Sequence, residues 1–135
     1  MKEGKTIVIT TLCVVCDGDL LLVQRSNNPF AWTRWIPWGK LEQWEAITTW
    51  LLREIKEELG FIPYNLEPLP YFEFSDYGHI IVFPFISRIA CKNDIKINPA
   101  INEIKQWAWY PLEDIKMNTL DLEWTPNHME VIKAI

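Results

Sequence analysis

From about Ala46 to Leu59 runs the one convincing long helical pattern in the first half of the chain, and Gly60 stops it. Glycine closes helices because it enters the left-handed region without steric cost. At 100° per residue, with Trp50 set at zero, Glu54, Glu57 and Glu58 fall at about 40°, 340° and 80°. Leu51, Leu52, Ile55 and Leu59 fall between about 100° and 200°. That is the stripe expected to be buried. Three carboxylates on one face repel one another unless a positive charge sits among them. A hard divalent cation that takes oxygen ligands supplies such a charge, Mg²⁺ first and Mn²⁺ as the alternative. A solvated face laced with local ion pairs is the commoner meaning of an Arg53-to-Leu59 run of this kind. The helix alone does not decide between them.

Around this helix the chain reads as strands. Thr6 to Cys16 and Leu20 to Val23 are rich in β-branched and apolar residues, and Asp17-Gly18-Asp19 between them supplies the positive-φ positions of a tight hairpin. Ser26 to Pro37 is polar and aromatic and reads as a loop. Pro63, Pro68 and Pro70 make the stretch after the helix extended or looped. Tyr71 to Phe74 and His79 to Ile89 read as strands, with Pro84 requiring an edge position or a bulge. Cys91 to Asn102 reads as a polar connection and Gln106 to Tyr110 as a short strand. Thr125-Pro126 starts a second helix ahead of His128 to Ile135. Strands flanking a central helix, with another helix at the end, give an α/β class of mixed layers.

Length and charge narrow the functions. A chain of 135 residues fits one domain. Eighteen acidic against thirteen basic residues, net −5, leave no basic face for a broad grip on nucleic acid. No apolar run approaches the roughly 20 residues that span a bilayer. The start at Met1-Lys2-Glu3-Gly4 does not read as a signal peptide. Three cysteines cannot all pair within one chain, so a reducing, cytoplasmic compartment is expected.

The spacing from Gly39 to Phe61 decides what the helix is for. Gly39, Glu45, Arg53-Glu54-Ile55, Glu57-Glu58 and Gly60-Phe61 form G-x5-E-x7-R-E-U-x-E-E-x-G-U, where U is bulky and apolar. Average residue usage makes a chance recurrence in such a chain improbable, on the order of 10⁻⁸. This pattern resembles the signature of the Nudix hydrolases. Ile36-Pro37-Trp38-Gly39-Lys40-Leu41-Glu42 is similar to the family's approach to its box, and Asn102-Glu103 through Leu112 to a later family strand. The resemblance covers about four-fifths of the chain. It implies an α/β/α Nudix sandwich around a mixed β-sheet, a single domain over residues 1–135 with the box at 39–61. It also implies hydrolysis of a nucleoside diphosphate linked to another group.

Carried over by the resemblance, Glu57 and Glu58 match metal-binding carboxylates. Glu54 matches a carboxylate used as metal ligand or general base. Arg53 matches the arginine that orients the glutamates, and Glu45 and Gly39 are supporting. The backbone carbonyl of Trp38 matches a further metal ligand, and Glu103 is a looser match for an extra acid. A compact chain of this type resembles members that cleave nucleoside triphosphates to monophosphate and pyrophosphate. Phe30, Trp32, Trp35, Phe74, Tyr77 and His79 are the residues available to meet a base, although packing is the blander role for each. Homodimers are common among relatives, and exposed aromatics would support one.

Eight tryptophans are an excess, and five of them fall between Trp32 and Trp50. Trp38, Trp44 and Trp50 stand where the family usually has Gly, Gly and Ala. Glycine at the first two sites permits positive φ or a close approach, so an indole at 38 is expected to push the metal-binding loop onto another path. Trp50, at 0°, is expected in the middle of the carboxylate face. The second reading is therefore a catalytically impaired or engineered Nudix-fold protein, serving as nucleotide-binding module or scaffold. Cys13 and Cys16 form a C-x-x-C within an apolar strand, where buried thiols fit better than zinc.

Overall fold

The computed structural model describes residues 6–25, 34–41, 45–75, 78–100, 104–117 and 128–135. The opening hairpin follows from its turn. Strands β1 (Thr6–Cys16) and β2 (Asp19–Arg25) pair as Val15↔Leu20 and Cys16↔Asp19. Only Asp17 (φ 52°) and Gly18 (φ 78°) are left to turn the chain. Two consecutive left-handed residues match the right-handed twist of the flanking strands.

Further strands attach to this hairpin. β3 (Arg34–Trp35) pairs with the end of β2, and β4 (Trp38–Lys40) runs antiparallel to β1 through Ile9↔Lys40, Thr10↔Gly39 and Thr11↔Trp38. These two short strands occupy the end of the expected loop and the start of the box. Their identity comes from partners in β1 and β2, which a local pattern of two or three residues does not reveal. β5 (Leu66–Pro68) and β6 (Phe72–Phe74) both pair with β7 (His79–Arg88). The other side of β7 runs parallel to β1 from Thr6↔His79 to Val15↔Arg88. β8 (Ile104–Pro111) lines the outer side of β2. The result is one mixed sheet.

Pro84 lies inside this sheet at the kind of irregularity the sequence required: between the two pairings, residues 69–71 stand opposite only 83 and 84, one extra residue on the facing strand. β5 ends opposite Phe85 and β6 begins opposite Val82, so Pro84 faces the gap between them. Its carbonyl accepts from Leu69 N at 2.9 Å. Its missing N–H lies on that same side, where no ladder bond is lost.

Helices cover both faces. From Thr10 to Cys16, β1 is buried throughout, so its run is continuously apolar or small instead of alternating. Leu12, Val14 and Cys16 pack with Leu51, Ile55 and Leu59 of α1 (Ile47–Leu59). Cys13 and Val15 pack with Ile115 of α2 (Leu112–Lys116) and with Val131 and Ile132 of α3 (His128–Lys133). Full burial of each such aliphatic side chain is worth about 1.5–3 kcal/mol. The expected α/β/α layering is thus present. It also sends the two thiols of the C-x-x-C to opposite faces. No helix among the described residues is long and apolar enough to cross a membrane.

The end of α1 is tied down. Gly60 sits at φ 79° and donates to Lys56 O. Asn98 N and Ala100 N donate to the carbonyls of Leu59 and Glu58 at 2.7 and 2.8 Å. A helix leaves its last carbonyls without internal partners, and the connection after β7 satisfies these two.

Candidate active site

Arg53 is the hub of the acidic face. Its Nη2 and Nε donate to the two carboxylate oxygens of Glu45 at 2.7 and 3.1 Å, a planar fork meeting a carboxylate. Nη1 donates to Glu57 Oε1 at 3.1 Å and, more weakly, to Glu54 Oε1 at 3.4 Å. The sequence left two sources for a positive charge among the glutamates, local ion pairs or a cation, and the resemblance matched Arg53 to an orienting arginine. In the structure Arg53 itself supplies part of it, one guanidinium serving three carboxylates. The Arg53 hydrogen bond holds the Glu45 carboxyl below its ordinary pKa. The same bonds, first to Glu45 and then to Glu57, raise that of Arg53. Glu54 is the more enclosed of the two helix partners, its side chain 19% exposed against 55% for Glu57. Glu58, one turn after Glu54, is half-buried.

Strand β4 passes over the start of this face. Pro37 O accepts from Leu12 N, and Leu41 N donates to Val8 O. Trp38 and Lys40 occupy the alternate positions, so the Trp38 carbonyl is directed away from β1. Neither Trp38 nor Gly39 is among the residues with positive φ. The expectation that an indole at 38 diverts the backbone is therefore corrected: the residue sits in regular strand, its side chain packed partly on the α1-side core. Gly39 serves by close approach. A Cβ there would stand 2.6 Å from Cη2 of Trp50 and 3.0 Å from Cγ of Glu54. Trp50 is corrected as well. It is 1% exposed and lies beneath Gly39, where the helical wheel had placed it on an open face. The buried stripe runs Trp50, Leu51, Ile55, Leu59, and Leu52 is only half-buried. The signal for this was Gly39 itself, a glycine that leaves room for a large ring.

The donor set offered here is hard oxygen: the carboxylates of Glu54, Glu57 and Glu58 and the Trp38 carbonyl, a chemistry that suits Mg²⁺ or Mn²⁺. In the rotamers seen, no three acidic, histidine or cysteine side chains among the described residues close into a metal cage. In these rotamers Glu54 and Glu57 each accept from Arg53 Nη1.

Residues 6–135 match the NUDIX domain. The chain belongs to the NUDIX family. It is 38% identical over 73 residues to an ADP-ribose pyrophosphatase of Methanocaldococcus jannaschii; the match covers 52% of this chain and spans 43% of that relative's length. Among solved structures it is similar to a MutT NUDIX hydrolase from Burkholderia pseudomallei, with a TM-score of 0.81 at 20% identity over 98% of this chain and 99% of the other. It is also similar to a bifunctional NMN adenylyltransferase/ADP ribose pyrophosphatase from Francisella tularensis complexed with AMP and a Mn ion. That likeness has a TM-score of 0.79 at 22% identity over 96% of this chain and 40% of the other.

The Nudix box residues Gly39, Glu45, Arg53, Glu54 and Glu57 are thus brought together, with Glu58 one turn on. Of the residues available to meet a base, His79 is the one whose side chain lies among those described. His79, at the start of β7, is hydrogen-bonded through Nδ1 to Thr6 Oγ1 (2.8 Å) and through Nε2 to Glu73 Oε2 (3.0 Å), neither belonging to the box. Trp35 and Phe74 lie in β3 and β6 by their backbones, and their side chains lie outside the described residues. Phe30, Trp32, Trp44, Tyr77 and Glu103 also lie outside them.

Proposed function

We propose that this chain is a metal-dependent Nudix pyrophosphohydrolase, a single domain that cleaves the pyrophosphate bond of a nucleoside diphosphate carrying a second group. The observation that carries the reading is the fork of Arg53 on Glu45, with Glu54 and Glu57 on the same guanidinium and Glu54 against the bare backbone at Gly39. Glu54, Glu57, Glu58 and the Trp38 carbonyl would hold Mg²⁺ or Mn²⁺. When bound, such an ion neutralises the phosphates and polarises a phosphoryl oxygen. Glu54 is enclosed enough to hold a water and take its proton as it attacks phosphorus in line. Arg53 keeps the carboxylates in register with one another, and Glu45 keeps Arg53 in place.

ADP-ribose is the substrate proposed first. The sequence reading favoured a nucleoside triphosphate on the strength of a compact chain. The 38% identical relative named an ADP-ribose pyrophosphatase outweighs that reasoning. Products separate the two: AMP and ribose 5-phosphate from ADP-ribose, monophosphate and pyrophosphate from a triphosphate. The scaffold reading loses support from Trp38, in ordinary strand geometry, and from Trp50, buried in the core.

The test is substitution at the carboxylates. Glu54→Gln is expected to lower kcat by about 10²–10⁴-fold, the scale of general acid–base catalysis. Glu57→Gln and Glu58→Gln are expected to be impaired alongside it. Full activity retained by folded Glu57→Gln and Glu58→Gln would overturn the assignment of the metal ligands.

A further inference from the structure

Trp50 and Gly39 occupy complementary space. The atoms of the indole nearest a Cβ at position 39 are Cη2 at 2.6 Å and Cζ2 at 3.1 Å, both on the outer edge of the benzo ring. Glycine is required at 39 because of this ring and the neighbouring Glu54 Cγ, since its backbone conformation is not left-handed. The residue before Gly39 is Trp38, whose carbonyl is directed away from β1, and the residue one turn after Trp50 is Glu54. The Trp50–Gly39 contact therefore joins the strand that carries the Trp38 carbonyl to the turn of α1 that leads to Glu54.

We infer that Trp50 is a positioning residue: its benzo edge is the spacer that fixes how far the β4 backbone stands from Glu54, and so presets the oxygen donors for a divalent cation. A smaller side chain at 50 lets β4 and α1 shift, and a larger one at 39 pushes them apart. It is the benzo edge and not the indole N–H that meets position 39. Nε1 is buried with no hydrogen-bond partner among the described residues. As regards the cation, the inference rests on the proposed function.

The experiment is Mn²⁺ binding, followed by electron paramagnetic resonance, to the parent chain, Gly39→Ala, Trp50→Phe and the double variant, with folding checked by circular dichroism. Phe withdraws the outer benzo edge and the methyl of Ala fills part of the room it leaves. Each single substitution is expected to weaken Mn²⁺ binding by about 10-fold or more, as loss of supporting contacts around a metal does. The double variant is expected to return to within about threefold of the parent, the sign of direct coupling. Losses that add in the double variant, or single variants that bind Mn²⁺ as the parent does, overturn the positioning role alone. A parent chain that does not bind Mn²⁺ overturns the proposed function and this inference with it. A Trp50→Phe loss that Gly39→Ala does not relieve shows that the N–H matters and likewise overturns the spacer.

Discussion

Arg53 and Glu45 meet as two planar groups, Nη2 to Oε1 at 2.7 Å and Nε to Oε2 at 3.1 Å, across the entrance to helix α1. The bidentate contact fixes the plane of the guanidinium and leaves Nη1 for Glu54 and Glu57. Lysine keeps the charge but loses the fork. Arg53→Lys is expected to lower kcat/KM by about 10–100-fold, comparable to losing a supporting contact at a metal site. Steady-state kinetics on folded variant checks this; parent-like kinetics would show that charge alone suffices.

The same pair carries a pH dependence of stability. Arg53 depresses the Glu45 pKa in the folded chain. The unfolded chain has the ordinary glutamate value, about 4.3. A depressed folded value means the contribution is fully present above that unfolded value and is lost as pH falls through the lower folded one. Urea midpoints of the parent and of Glu45→Gln, compared from pH 7 downwards, should stay separated to about pH 4.3 and converge below it. A separation that grows on acidification would contradict the pairing.

The three cysteines divide by burial. Cys13 and Cys16 are buried on opposite faces of β1, and Cys91 is exposed. Burial pushes the Cys13 thiol up to about 12 and raises Cys16 as well. Thiolate is the reactive form, so a disulfide reagent at pH 8 is expected to titrate one thiol rapidly in native protein and all three after denaturation. Two rapid thiols would place Cys16 at the surface.

What the sequence disclosed and what it hid have physical reasons. The hairpin was readable because Asp17-Gly18 is a two-residue solution to a left-handed turn. The end of α1 was readable because Gly60 closes it. The grouping of Arg53 with the box glutamates was readable through the family pattern. The strands at Arg34–Trp35 and Trp38–Lys40 were hidden, since so few residues take their state from distant partners. Helix α2, only five residues long, was hidden for a similar reason. Trp50 was misplaced because a helical wheel knows the helix and not the strand above it. Gly39 holds the space Trp50 fills, and that fact exists only in three dimensions.

The most direct measurement is hydrolysis of ADP-ribose and of a panel of nucleoside triphosphates by the parent chain, with Mg²⁺ or Mn²⁺ and with the metal chelated. Release of AMP and ribose 5-phosphate that depends on the metal is the expected result. Metal-dependent pyrophosphate release from a triphosphate instead would keep the enzyme and change its substrate. No product from any member of the panel, with folded protein and metal present, would contradict the proposed function and return the weight to a non-catalytic Nudix fold.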